Sequence, residues 1–194
     1  MGMVLLAPAC VKNRFKSLSS AAPVGLVRIE QQKFVVGGSV VSPTESVHYF
    51  GIDLPSYGYQ PIYLQLQNLT ATRYVLAPSS IQHPLVSFEE IMPYCTYKTA
   101  EFVGTTGSAA LLFFWPLLPL YVIPVGLSMR SYNGSAEEQL TDYGFYGTSR
   151  PLEIMPYSAV HRFIFVEKHK GPYAFDLLLL DEGSKEFIRF SLAL

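Results

Sequence analysis

The stretch Pro61-Ile-Tyr-Leu-Gln-Leu-Gln67 decides the fold class. Ile62, Leu64 and Leu66 alternate with Tyr63, Gln65 and Gln67. A period of two predicts a strand with one buried face and one wet face. Asn68-Leu-Thr70 then turns the chain into a second strand over 73–77. Working upstream, Val27 and Ile29, then residues 34–36, predict one or two strands ending at Gly37-Gly38. Residues 47–53 predict another, with Ser42-Pro43 and Pro55-Ser-Tyr-Gly58 as turns. Working downstream, residues 152–155 form a short strand stopped by Pro156. Residues 160–167 are apolar on both faces, as a central strand is. Residues 173–180 and 186–192 follow after polar turns, so the last three strands predict an antiparallel meander. Short strands at this spacing predict a β-sandwich. The 13 tyrosines and 13 phenylalanines suit strands better than helices.

Composition narrows the function classes. Of the 194 residues 49% are hydrophobic and only 15% charged, against about 25% charged in an ordinary soluble domain. This excludes a disordered chain and a charged coiled coil. With 14 Lys+Arg against 15 Asp+Glu there is no basic field to hold nucleic acid. Low charge with high apolarity points toward a membrane or a large buried interface.

The segment 84–147 differs from the strands around it. Ser87-Phe-Glu-Glu90 reads as a capped helix start, with both glutamates at the positive end of the helix dipole. A second helix is expected over 136–140, capped by Ser135. Between them, residues 102–129 hold no charge over 28 positions. The apolar heart, 109–127, has the length of a bilayer span. Pro116, Pro119 and Pro124 each remove a backbone donor, and unsatisfied backbone in lipid is costly. Trp115 and Tyr121 do not sit at its ends, as an aromatic belt would require. Lys98 and Arg130 flank it on both sides, so the charge rule gives no orientation. Two crossings need about 40 apolar residues, more than are present. If strands before and after the run share one sandwich, a single crossing would separate them. The expectation is therefore a proline-kinked apolar helical hairpin that dips into one leaflet, or a patch buried against the sandwich or another subunit, with a true span as the remaining alternative. Leu111, Leu112, Phe113, Phe114, Trp115, Leu117, Leu118, Leu120, Tyr121, Val122 and Ile123 are the candidate membrane or partner contacts.

The N-terminus reads Met-Gly-Met-Val-Leu-Leu-Ala-Pro-Ala-Cys10. A short apolar run, small residues and a cysteine match the end of a bacterial lipoprotein signal, with Cys10 as the candidate lipid anchor. The positively charged start of such a signal is missing. Residues 17–23 read as a tether. The expected organisation is anchor and tether over 1–23, half a sandwich over 24–83, the apolar helical insertion over 84–147, and the other half over 148–194.

Catalytic signatures are weak. His48, His83, His161 and His169 lack close metal-ligand spacing, and no paired Cys-x-x-Cys occurs. Cys95 and His83 form a conceivable nucleophile and base, but a lone cysteine in an apolar region is usually a small core residue. Gly104-Thr-Thr-Gly-Ser108 lacks the lysine of a phosphate loop and reads as a hinge. Asp176, on a strand, is expected to face solvent or pair with a base. Asn68-Leu-Thr70 and Asn133-Gly-Ser135 are glycosylation sequons that otherwise serve as turn residues. No cofactor and no enzymatic activity are expected.

Several of these stretches together carry a resemblance. Phe50-Gly-Ile-Asp-Leu54, Tyr59-Gln-Pro-Ile-Tyr-Leu-Gln-Leu-Gln-Asn68 and Tyr74-Val-Leu-Ala-Pro-Ser-Ser-Ile81 come first. Met155-Pro-Tyr-Ser158, Phe163-Ile-Phe-Val166 and Phe175-Asp-Leu-Leu-Leu179 follow. The set resembles a group of uncharacterised bacterial lipoproteins and membrane-anchored extracytoplasmic proteins. Their glycine before the aromatic strand is replaced here by His161-Arg162. The resemblance implies a mainly β, Ig-like antiparallel sandwich in the cell envelope, and no catalytic residue. The expected function is a membrane-anchored binding or assembly module, touching membrane lipid and an envelope partner or a second copy. The alternative is a soluble carrier of lipid or another apolar ligand.

Overall fold

The computed structural model describes residues 25–31, 34–96 and 118–194, and over 118–129 the course of a helix. It is mainly β, with two four-stranded antiparallel sheets. The first sheet runs in the order β1 (Val27–Gln31), β2 (Phe34–Val40), β3 (Tyr59–Asn68) and β6 (Ala159–Glu167). The second runs β5 (Leu152–Ile154), β4 (Tyr74–Ile81), β7 (Ala174–Asp181) and β8 (Phe187–Ala193). Both sheets draw strands from both sides of the central segment. β3 pairs with β6 from Tyr59 opposite Glu167 to Gln67 opposite Ala159. β4 pairs with β5 and with β7. The strands before and after the insertion are one body.

Two cores lie on opposite faces of the first sheet. The inner one joins the sheets through Phe34, Ile62, Leu64, Leu76, Ile164, Leu177 and Phe190 among others. The outer one is roofed by helices: α1 (Pro43–Phe50), a 3-10 turn (Leu54–Tyr57), α2 (Phe88–Cys95) and α3 (Leu118–Tyr143). Beneath them lie Tyr63, Phe163 and Phe165. The order of layers is helices, sheet, sheet.

This third layer corrects several sequence expectations. Residues 160–167 are apolar on both faces, yet β6 ends the hydrogen-bonded order of its sheet and is not a central strand. Its Ile164 and Val166 face the second sheet, and Phe163 and Phe165 face the helices. Its outer edge is covered: the Phe163 carbonyl accepts from Phe145 N–H (2.7 Å) and the Phe165 carbonyl from Val86 N–H (2.8 Å). A blunted edge cannot recruit another strand. The meander expectation fails with it, because β6 belongs to one sheet and β7–β8 to the other. The wet face assigned to residues 61–67 is dry at Tyr63, where the helix layer lies above it.

Residues 47–53 are not a strand. They fall mostly in α1, started by a reciprocal cap in which Ser42 Oγ accepts from Glu45 N–H while Glu45 accepts from Ser42 N–H (2.8 Å). Pro43 sits in the first turn, where a missing donor costs nothing. Gly37-Gly38 does not end β2 either. A side chain on Gly37 would meet Leu26 at 3.2 Å, and one on Gly38 would meet Leu194 at 3.2 Å. Each glycine makes room for a leucine on its own face. The separate helix over 136–140 is instead the C-terminal part of α3, and Ser135 lies inside it, donating to the Ser131 carbonyl (3.1 Å).

Candidate functional site

The described groups that depart from a plain apolar core gather mainly in and around the helix layer. α2 starts where the sequence places it: Ser87 Oγ accepts from Glu90 N–H (3.3 Å). It ends at Thr96, whose hydroxyl donates to the Met92 carbonyl (3.0 Å). α3 packs through Tyr132, Ala136 and Leu140, a stripe repeating every fourth residue. Phe50, Tyr94, Cys95, Thr96 and Tyr132 line a cavity of about 90 Å³ with Gly51 and Ile52. The end of α2 and the first docked turn of α3 therefore meet at one level. Asp142 and Tyr143, at the other end of α3, influence Arg162 near the start of β6. α3 thus descends the sheet against the direction of β6.

Beside that cavity three tyrosines touch. Tyr94 packs on Tyr57 at 5.1 Å and on Tyr59 at 5.3 Å between ring centres. The hydrogen bond that the Tyr59 hydroxyl donates to Tyr94, then partial burial, pushes the Tyr59 phenol up. Tyr57 is 53% exposed and Tyr94 36%. Lys168 Nζ donates to the Pro55 carbonyl (3.0 Å), tying the β6–β7 turn to the same end of the molecule.

Cys95 is buried, and loss of solvation pushes its thiol up to about 12. At neutral pH it stays a thiol, a poor nucleophile. His83 stacks on His169 and packs edge-on against Phe175 of β7. Tyr146 stacks on Phe165 and is almost fully buried, and burial raises its phenol strongly. Its hydroxyl has no hydrogen-bond partner. With Phe88, Glu89, Thr141, Thr148 and Ser149 it lines a second cavity of about 250 Å³.

The sequence did not reveal a Tyr63–His161 pair on the helix-facing side of β3 and β6. Tyr63 Oη lies 2.6 Å from His161 Nδ1, and the rings stack. With the hydroxyl donating, Nδ1 accepts and Nε2 keeps the ring proton. Burial, then the Arg162 charge, lowers the His161 pKa, and burial raises that of Tyr63. The pair follows from register: β3 and β6 place Tyr63 opposite Phe163, one diagonal step from His161.

Of the candidate contact residues, Cys10, Leu111, Leu112, Phe113, Phe114, Trp115 and Leu117 lie outside the described residues, as does the 104–108 hinge. Leu118, Leu120, Tyr121, Val122 and Ile123 lie on the N-terminal part of α3. Among the described residues no helix is long and apolar enough to cross a membrane. Nor does any group of three or more His, Cys, Asp or Glu there suit a metal ion. The Asn68 sequon is structural. Asn68 is fully buried, donates to the Thr72 (2.7 Å) and Met155 (3.0 Å) carbonyls, and accepts from Thr70. Asp176 pairs with Arg189 (2.5 Å) and accepts from Ser191, which together lower its pKa.

Comparison with protein-family models, with curated proteins and with solved structures found no match. What the geometry defines is a class of architecture: a β-sandwich backed by helices, with an uncharged stretch joining two of them.

Proposed function

We propose that this protein is a non-enzymatic binding or assembly module of the bacterial cell envelope, working at a membrane through its apolar segment 109–127. In this reading the sandwich is Ig-like and extracytoplasmic, and the segment is an apolar helical hairpin dipping into one leaflet. Cys10 serves as the lipid anchor, and an envelope protein or second copy adds to the contact. The observation that carries it is the continuity of α3. Residues 118–129 are uncharged helix, and the same helix docks on the first sheet through Tyr132, Ala136 and Leu140. Leu118 to Ser131 make about 21 Å of helix at 1.5 Å per residue, less than the bilayer core of about 30 Å. Because β3 pairs with β6, the chain leaves and rejoins one body, so an inserted segment enters and returns on the same side.

The alternative is a soluble carrier of lipid or another apolar ligand, in which the apolar segment lines the pocket; the described cavities of about 90 and 250 Å³ are lined without residues 109–127. Membrane fractionation tests the proposal. Deleting residues 105–130 and replacing Cys10 should release the protein from the membrane fraction. A wild-type chain fully soluble without detergent overturns it.

A further inference from the structure

We propose that Tyr57, Tyr59 and Tyr94 form a collar that rests among the headgroups of a lipid bilayer and sets how deeply the apolar segment enters. This deepens the membrane reading above and rests on it.

The argument starts from where the cluster sits. Tyr94 lies in the last turn of α2, and the chain beyond residue 96 leads into the uncharged stretch 102–129. The Tyr94, Cys95, Thr96 and Tyr132 lining shared with α3 places the returning helix at the same end of the sandwich. The collar therefore lies at the end of the sandwich where α2 ends and where α3 docks. Chemistry selects the occupant. Tyrosine offers an apolar ring and a polar tip, the combination enriched at membrane–water interfaces. The three rings already pack together, with Tyr57 and Tyr94 open to solvent. Charges nearby are mixed: Glu90 and Glu167 act on Tyr59, and Lys168 is tethered at Pro55. Such a surface has no net basic pull toward anionic lipid, so ring burial rather than charge must drive the contact, and zwitterionic lipid should suffice.

The chain carries one tryptophan, Trp115, which reports depth. The full chain is mixed with phosphatidylcholine vesicles. Flotation measures partitioning, and quenching of Trp115 by lipids brominated at different acyl positions measures depth. Replacing Tyr57→Ser and Tyr94→Ser should weaken partitioning about tenfold and change the Trp115 depth, while Tyr57→Phe and Tyr94→Phe should retain most of the binding. Should the double serine variant fail to fold, Tyr57→Ser alone, at the most exposed ring, reads the same quantities. If wild type and serine variant partition alike with Trp115 at one depth, the collar is overturned and the membrane reading stands. If the wild type does not float, or only self-associates, both fall.

Discussion

The two faces of the first sheet are built from the same strands and behave as different materials. The face toward the second sheet is mostly aliphatic side chains with a few aromatic rings, and among the described residues it leaves no buried side-chain polar atom unpaired. The face toward the helices holds a buried thiol, a phenol–imidazole pair and a phenol without a partner, with cavities of about 90 and 250 Å³ alongside. Dense apolar packing fixes a structure, whereas buried polar groups and voids cost stability and are kept where something else requires them. The contrast locates adaptability on the helix side, where the uncharged segment is attached.

The largest effects test whether the helix layer is integral. Phe165→Ala on the helix-facing side should cost about 3–5 kcal/mol, and Ile164→Ala on the inner side about 2–5 kcal/mol. Both are read from denaturant midpoints at constant slope. A loss under about 1 kcal/mol for Phe165→Ala would make the helices a detachable cover and erase the contrast. A smaller loss, about 2–3 kcal/mol, is expected for Asn68→Ala, which leaves part-buried carbonyls of the β3–β4 turn and of Met155 without their donor.

The same contrast explains what could be read from sequence. β3 shows itself by alternation, because it has a solvent-facing side for part of its length, and β4, β7 and β8 by the turns that bound them. β6 misleads, because a strand covered on both faces looks central even when its neighbours lie on one side only. α1 hides for a local reason. Its eight residues are too few to establish a helical period, and the informative sign is the Ser42-to-Glu45 cap, easily mistaken for a turn beside Pro43. The tyrosine collar and the Tyr63–His161 pair were out of reach because each joins residues far apart in the chain. Only pairing register, or the docking of α2, brings them together.

Tyr146→Phe sharpens the comparison from the opposite direction. Removing a hydroxyl that makes no hydrogen bond should stabilise the protein by about 1 kcal/mol. The ring keeps its stacking on Phe165. A destabilised variant would mean that the hydroxyl is paired in solution, and the helix side would lose one of its polar costs.

The smallest effect is a pH dependence confined to the helix side. His161 is half-buried beside Tyr63 on β3 and Arg162 on its own strand, with Asp142 and Tyr143 of α3 acting on Arg162. Its folded pKa lies below the ordinary 6.5, chiefly through desolvation and secondarily through Arg162. The unfolded chain therefore binds this proton more readily than the folded one. The stabilising contribution is complete above 6.5 and is lost as pH falls through that value toward the folded pKa. Denaturant midpoints followed between about pH 5 and 8 should show wild type losing stability on acidification. His161→Asn should lack that increment and be less stable than wild type at the alkaline end, where the Tyr63 hydrogen bond is intact. Equal slopes for the two proteins would mean that His161 takes up its proton without disturbing the fold, and the polar pair would then tune nothing on the helix-facing side.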